Sequence, residues 1–391
     1  MKFRILTSSK TILTGAAAVL ALCAVQPVFG QGCIISRSNG QVGGPESDGG
    51  YLAPGDFYFG DAYRHQFSYK HFVGPVEQTY RVEAGTQVEN KINLQNFYGI
   101  YQLTTRFSIT ADVPLVSASR HQNSSPVIYT TSGVGDISFM VNGWVWNPKE
   151  NSRGNVQLGV GLLLPTGKNN ISNVIAPAVG GPTQTAVVDY SIQPGQGGWG
   201  IPFQWLSFIS TGSNSQLYFN GTYTAMLQSI NLNTIRSATV NPVTLTQYNS
   251  ISDQYLLEAG FAHTVPKIKG LTLTFGPRWE GAPARNLFPG SNLGFRRPGF
   301  AISLEPGAIY VHGNQMFTAQ IGKAFYRDRT KSVPDDLTNG HGDAAFADYV
   351  WLASYQYRFQ RHHTADAGSQ THVSGQAAPA APKTAGTGGG F

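Results

Sequence analysis

Charge is the scarcest property of this 391-residue chain. Asp, Glu, Lys and Arg together make up 12% of it, against roughly a quarter in soluble proteins. A water-exposed surface so thinly charged would aggregate, so the composition argues for contact with lipid. Cysteine is nearly absent as well: there are two, Cys23 and Cys33, and Cys23 falls in an N-terminal leader. The remaining single cysteine makes no intrachain disulfide and excludes a small disulfide scaffold. Gly30-Gln31-Gly32 before Cys33 is a poor match to the apolar-small-small pattern of a lipidation site. Long apolar runs are also missing. Beyond the first thirty residues nothing approaches the ~18 consecutive apolar residues of a membrane-crossing helix, which excludes an α-helical membrane protein.

The leader, residues 1–30, reads as a secretory signal peptide. Lys2, Arg4 and Lys10 supply its charged region, Thr11 to Val25 its apolar core, and Val28 and Gly30 suit a cleavage site, with Pro27 closing the run. Removing its three positive charges from the formal +6 leaves 6 − 3 = +3 on the mature chain. That near-neutral balance argues against nucleic acid as a partner. Residues 31–53, rich in Gly, Ser and Asn without periodicity, read as a flexible N-terminal segment. Residues 361–391, mainly Ala, Pro, Gly, Thr and Gln, read as a disordered periplasmic tail.

What the chain does have is aromatic, glycine-rich alternation. Glycine numbers 46, and Tyr and Phe number 18 and 22. In the last such segment, Tyr349, Trp351, Ala353, Tyr355, Tyr357 and Phe359 fall on one face, with Ser354, Gln356 and Arg358 on the other. Successive strand side chains point to opposite faces, and a face lined by aromatics at its ends suits a strand between two membrane interfaces. Twelve segments carry this character, at about 54–66, 88–103, 104–118, 134–147, 153–166, 199–211, 214–228, 252–265, 270–282, 298–312, 315–328 and 345–359. Each is long enough for the ~9–11 tilted residues that cross a bilayer. Their connections alternate between long ones and short turns such as Gly212-Ser213, Pro266 to Lys269 and Gly313-Asn314. Outer-membrane barrels have short periplasmic turns and long external loops. The expected fold is therefore all-β: a transmembrane antiparallel β-barrel of about twelve strands over residues 54–360, in the bacterial outer membrane, with both termini periplasmic.

Alternation assigns faces. Phe139, Val141, Leu217, Phe219, Leu273, Phe275 and Trp279 should meet lipid. The ionisable residues left inside are Asp112, Asp136, Glu258, Arg278, Glu280, Glu305, Asp348 and Arg358, the candidate lumen lining. They either bound a conducting path or pair with one another and narrow it, since twelve strands fall between the packed eight-stranded and the open sixteen-stranded barrels. The register of the first strand, Asp56 to Gln66, stays undecided. Lys323 lands on the lipid face, which implies a bulge or a position near the membrane edge. Tyr355, Tyr357 and Phe359 form the expected signal for the barrel-assembly machinery, here internal to the chain.

Two motifs carry a resemblance. Val134-Gly135-Asp136-Ile137-Ser138-Phe139 opens one strand and Leu163-Leu164-Pro165-Thr166-Gly167-Lys168 closes the next. Together they resemble the outer-membrane transporters grouped under the meta-pathway of phenol degradation. The resemblance implies a barrel over residues 54–360 that moves hydrophobic or aromatic compounds, with outer-membrane lipid and a small solute as partners and no cofactor. It brings no site residues with it. Gly161 to Lys168 is no phosphate loop: five residues separate Gly161 from Gly167, and neither Ser nor Thr follows Lys168. Catalysis finds no support, because the histidines fall mostly in expected loops and tail (His65, His71, His121, His341, His362 and His363), and no Ser and His share a depth on neighbouring inward faces. Adjacent His362 and His363 do not make a metal site. The expectation is a channel or transporter for small hydrophobic or aromatic molecules. The alternative is a plugged structural or adhesive barrel acting through its external loops.

Overall fold

The computed structural model describes residues 51–361 except 179, 241, 242, 289 and 291, and side chains are not described over 234–246. The expected signal peptide, residues 31–50 and residues 362–391 lie outside the described residues. Twelve antiparallel strands close into a barrel: β1 (Phe57–Val73), β2 (Val88–Gln102), β3 (Phe107–Gln122), β4 (Ser138–Trp144), β5 (Gly154–Leu163), β6 (Gly200–Gly212), β7 (Ser215–Met226), β8 (Gln254–Thr264), β9 (Leu271–Ala282), β10 (Gly299–His312), β11 (Gln315–Asp328) and β12 (Ala344–Phe359). Each pairs with its sequence neighbours, and β1 pairs with β12 from Phe57↔Phe359 to Phe72↔Ala344. Closure leaves no backbone edge for lipid to face, the condition for strands to cross a bilayer.

The wall alternates as its sequence requires. Along β9, Thr272, Thr274, Arg278 and Glu280 are buried while Leu273, Phe275 and Trp279 are exposed. Phe139, Phe219 and Trp351 are about half exposed, which in a soluble sandwich would be a large apolar liability. Short connections at 103–106, 145–153, 213–214, 265–270 and 313–314 gather at one end, and the long ones at the other. Gly313 (φ 59°) and Gly270 (φ 85°) supply the left-handed backbone that two of the tight turns need.

Lys323 remains on the outward face, exposed, with its ammonium 5.7 Å from the Tyr349 ring. The register shift between β10 and β11 falls between Ile302 and Ser303, beyond Lys323 toward the external end, so the lysine reaches the outer interface by snorkelling. The first strand is longer than its sequence pattern suggested: it carries His65 and also His71, and His121 stands in β3, so these histidines are strand residues, not loop residues. These strands run on past the membrane as an external rim. The long loops carry structure of their own: a strand at Ile128–Val134 that extends the β3 ladder, hairpins formed by Ser172–Ile175 with Gln184–Val187 and by Ile230–Val240 with Val243–Ser250, and a short helix at Val333–Leu337.

Candidate functional site

The lumen is organised at three levels: a belt of inward strand positions at mid-depth, loop residues at the external end, and Tyr51 from the segment before β1 at the periplasmic end. At mid-depth Arg278 on β9 is fully buried and donates to Glu258 on β8 (2.6 Å), Glu280 (3.0 Å) and Glu305 on β10 (3.5 Å). Arg64 reaches from β1 to grip Glu280 with two bonds, of 2.9 and 2.7 Å, and also donates to Gln66. Gln320 of β11 donates to Glu305 at 2.6 Å. β1 and β9 are separated by three strands around the wall, so the Arg64–Glu280 pair spans lumen space and fills that side with a hydrogen-bonded belt. Buried charges are tolerated when each is paired and its remaining donors are used.

Four of the sequence candidates, Glu258, Arg278, Glu280 and Glu305, come together here. Arg64 was missed, because the first strand sets Asp61 and His65 on one face and Arg64 and Gln66 on the other, which erases the polar-apolar contrast that marks a face.

At the external end the two motifs meet. The Asp136 carboxylate accepts from the Gly167 amide (3.0 Å) and the Gln196 amide (2.9 Å). Thr166 Oγ1 donates to the Gly135 carbonyl and accepts from the Ile137 amide. The strand exit Leu164 to Gly167 is thus turned inward, and the stretch from Val188 to Gln196 lies over the lumen. Gly167 and Gly195 touch there: a Cβ on Gly195 would sit 2.2 Å from the Gly167 carbonyl oxygen, so neither position admits a side chain without displacement. Val188 and Ile192 from this segment are buried against Ile92, Leu94, Val116 and Ala118 on the inner wall.

Asp189 then pairs bidentately with Arg297 of the next-but-one external loop, at 2.7 and 2.6 Å. The Arg297 guanidinium lies 4.8 Å from the Tyr190 ring and 4.9 Å from that of Phe295. Burial alone would raise the Asp189 carboxyl, but the guanidiniums of Arg120 and Arg297 hold it well below the usual carboxylate range. Burial alone would lower Arg297, and Asp189 holds it above its ordinary value. Together these contacts form a lid.

At the periplasmic end Tyr51 enters the lumen. Its ring meets Trp144 edge-on at 5.0 Å and Phe208 at 6.4 Å, within an apolar cluster completed by Tyr218, Ala262 and Ile309. Arg358 fixes the segment, donating to the Tyr51 carbonyl (3.0 Å) and to Asp56 (2.8 Å). Residues 51–53 were expected in the flexible N-terminal segment; in the structure Tyr51 is packed.

Between these levels a cavity of about 360 Å³ remains. It runs beside the belt, along the inner faces of β2–β7 and past the periplasmic halves of β1, β11 and β12, from Pro194 and Gln196 at the lid to Tyr51 and Trp144. Its wall mixes Leu94, Tyr98, Met140 and Phe208 with the amides Asn96, Asn142, Gln204 and Gln356. Among the described residues Asp112 and Asp136 are the carboxylates that line it. Asp112 accepts from Asn96 at 2.9 Å. Asp348 stands apart from the belt, near the outer rim, paired with Lys70 (2.9 Å) and Arg327. Of the sequence candidates, then, Asp112 and Asp136 line the cavity, four form the belt, and Asp348 and Arg358 secure the two ends.

One serine–histidine contact exists that sequence reading did not find: Ser215 Oγ lies 2.8 Å from His263 Nδ1. The pair sits at the periplasmic ends of β7 and β8 on the outward face, away from the cavity. The described residues contain no group of three or more His, Cys, Asp or Glu placed to hold a metal.

An aromatic-belted wall, a closed strand ladder and a polar, partly occupied interior define a transmembrane β-barrel of the outer-membrane kind. Among solved structures the chain is similar to the COG4313 outer membrane channel from Pseudomonas putida F1, with a TM-score of 0.53 and 13% identity, over 82% of this chain and all of that one. A likeness of that size establishes the fold. The translocator domain of the autotransporter NalP from Neisseria meningitidis (TM-score 0.39, 11% identity, 88% of this chain and 97% of that one) and the CymD monoaromatic hydrocarbon channel (TM-score 0.39, 10% identity, 86% of this chain and 100% of that one) are more distant. No family model matches the chain, and neither does any curated protein sequence.

Proposed function

We propose that this protein is a bacterial outer-membrane channel for small hydrophobic or aromatic molecules, which cross through the half-lumen beside the Arg64–Arg278 belt. The observation that carries this reading is the cavity itself. It spans the space between the lid and Tyr51 with about 360 Å³, when an apolar cavity of about 150 Å³ already accepts benzene. Its apolar rings and neutral amides suit a solute with an aromatic body and few charges. The meeting of the two family-like motifs at Asp136 supports membership of the meta-pathway transporter group, because it gives both motifs one job: folding a loop inward to shape the entrance. The lumen roles of Asp112, Asp136 and the belt residues are part of this proposal. So is recognition of Tyr355, Tyr357 and Phe359 by the barrel-assembly machinery, which their place on the closing end of β12 supports.

The test is reconstitution. Protein in liposomes should admit phenol-sized neutral solutes, and in planar bilayers should conduct weakly. Asp136→Ala, which frees the amides of Gly167 and Gln196, should raise both fluxes. A barrel whose folding is proven by heat-modifiable gel mobility, yet which passes neither solute nor ions with or without Asp136, would leave the plugged, loop-acting barrel as the better reading.

A further inference from the structure

The outward face of β1 and β2 differs from the rest of the wall. On β1 the outward positions between Phe59 and Phe67 are Asp61, Tyr63 and His65; on β2 Gln95 faces Tyr63, Asn93 faces His65 and Phe97 faces Asp61. The polar residues among them form one hydrogen-bonded strip. Gln95 donates to Asp61 at 2.9 Å, the Tyr63 hydroxyl donates to Asn93 Oδ1 at 2.6 Å, and His65 Nδ1 lies 2.8 Å from that same oxygen. At a rise of about 3.3 Å per residue and a tilt of about 40°, these three β1 side chains stand about 10, 15 and 20 Å above Phe57, inside an apolar band about 25 Å tall. Phe59 stacks on Phe97 below the strip, and Lys91 lies 5.6 Å from the Phe67 ring above it. The strip is therefore bracketed by membrane-facing aromatics, not displaced into water. On β4 to β12 the outward mid-wall positions among the described residues are apolar, aromatic, Gly or Ser, apart from the single Lys323 that snorkels to the outer interface.

Polar and ionisable groups at mid-bilayer are costly and face a protein partner or a water-filled path. A path through the wall is excluded here. The β1–β2 ladder runs without a register shift from Phe57↔Tyr101 to Ser68↔Asn90, so there is no gap between the strands. Lipid phosphates lie at the interface, not at this depth, and a water-soluble protein does not reach it. We infer that this strip is the contact surface of a homodimer, with a second copy of the barrel laid against it.

Symmetry favours the second copy. Two copies inserted in the same direction are related by a twofold axis along the membrane normal, so each depth meets itself. A row of one charge would repel its own image. In this row the one carboxylate, Asp61, is already bonded to Gln95 at the periplasmic end of the strip, while Asn93, Gln95 and the Tyr63 hydroxyl each donate and accept and can bond to their own copies. Ala353, which pairs with Tyr63 from β12, keeps the wall low beside the strip and leaves room for close approach.

The inference stands apart from the transport reading and is tested without it. In a Cys33→Ser background, Tyr63→Cys and Gln95→Cys should form disulfide-linked dimers in native membranes, whereas Leu273→Cys on another part of the wall should not. The unlinked protein in mild detergent should have the mass of two chains. Asn93→Leu combined with Gln95→Leu should weaken the dimer at least tenfold while gel mobility stays heat-modifiable. If that variant does not fold, the cysteine pattern decides alone. A monomeric mass together with no cross-link at 63 or 95, equal cross-linking at 273, or cross-links from 63 and 95 to a different protein would overturn the inference.

Discussion

Replacing Arg278 by methionine tests the belt most directly. The side chain is fully buried and faces three carboxylates, those of Glu258, Glu280 and Glu305, at 2.6 to 3.5 Å. Methionine fills much of the same volume but supplies no charge. Glu280 keeps Arg64, and Glu305 keeps Gln320, so Glu258 loses the most. Removing one partner of a buried pair leaves an uncompensated charge, at a cost of about 3–5 kcal/mol. Adding Glu258→Gln should return a large part of that loss, because a pair replaced on both sides is nearly neutral. The measurement is a urea titration of the barrel folded in lipid vesicles, followed by tryptophan fluorescence. Gel mobility identifies the folded fraction, and a double-mutant cycle gives the coupling. A loss below about 1 kcal/mol for Arg278→Met, or a double variant worse than the sum of its parts, would refute the reasoning, since a buried pair should cost several times more to break. It would mean that the lumen at this depth is hydrated enough to screen the charges.

The wall should be intolerant of charge at mid-depth: Ile321→Arg should cost about 2–4 kcal/mol in the same titration. Topology can be read by labelling, with Val174→Cys reacting with an impermeant reagent on intact cells and Glu150→Cys not reacting. Gly195→Val should lift the lid, since its side chain would run into the Gly167 carbonyl; bilayer conductance should rise, and unchanged conductance would show the lid is not limiting. The lid should resist acid. A carboxyl whose folded pKa is depressed contributes stability that is present above its unfolded value and is lost only as pH falls through the folded one. Because Asp189 titrates well below the ordinary range, conductance should stay low down to about pH 4, the unfolded carboxyl range, whereas Asp189→Asn should raise it at neutral pH.

The strands were legible because each face has a different solvent. Lipid on one side and a polar lumen on the other write a period of two into β4, β7, β9 and β12, where Phe139, Phe219, Phe275 and Trp351 alternate with Asn142, Asn220, Thr274 and Gln356. The β1 pattern was illegible for the complementary reason. Its outward face carries Asp61 and His65, so polarity no longer reports which side is lipid, and Arg64 could not be placed in the belt. The lid was illegible for another reason. Its contacts, such as Asp189 with Arg297, join residues more than a hundred positions apart, and no local period records them. The two motifs did signal that something happens at Asp136 and Gly167, but spacing alone does not reveal that a carboxylate on one strand caps the backbone exit of the next.

Where the cavity lies follows from where the long charged side chains lie. Glu258, Arg278, Glu280 and Glu305 stand on three consecutive strands, β8 to β10, and Arg64 on β1 faces them. Such side chains reach far into a lumen and must find one another there, so that side fills. Strands β2 to β6 present shorter inward groups at the same depths, such as Asn96, Thr110, Asn142 and Gln204, with glycines at Gly159 and Gly161. These cannot span the space, so that side stays open. The lumen is thereby divided into a filled part and an open part, the second being the path in the proposed function. Exchanging the sides should move the path: Glu258→Ser with Arg278→Ser should open the belt half, and Gly159→Leu with Thr110→Leu should close the cavity half. Solute flux in liposomes that falls with the leucine pair and is retained with the serine pair is the expected pattern. Flux indifferent to the leucine pair would place the path elsewhere than the cavity.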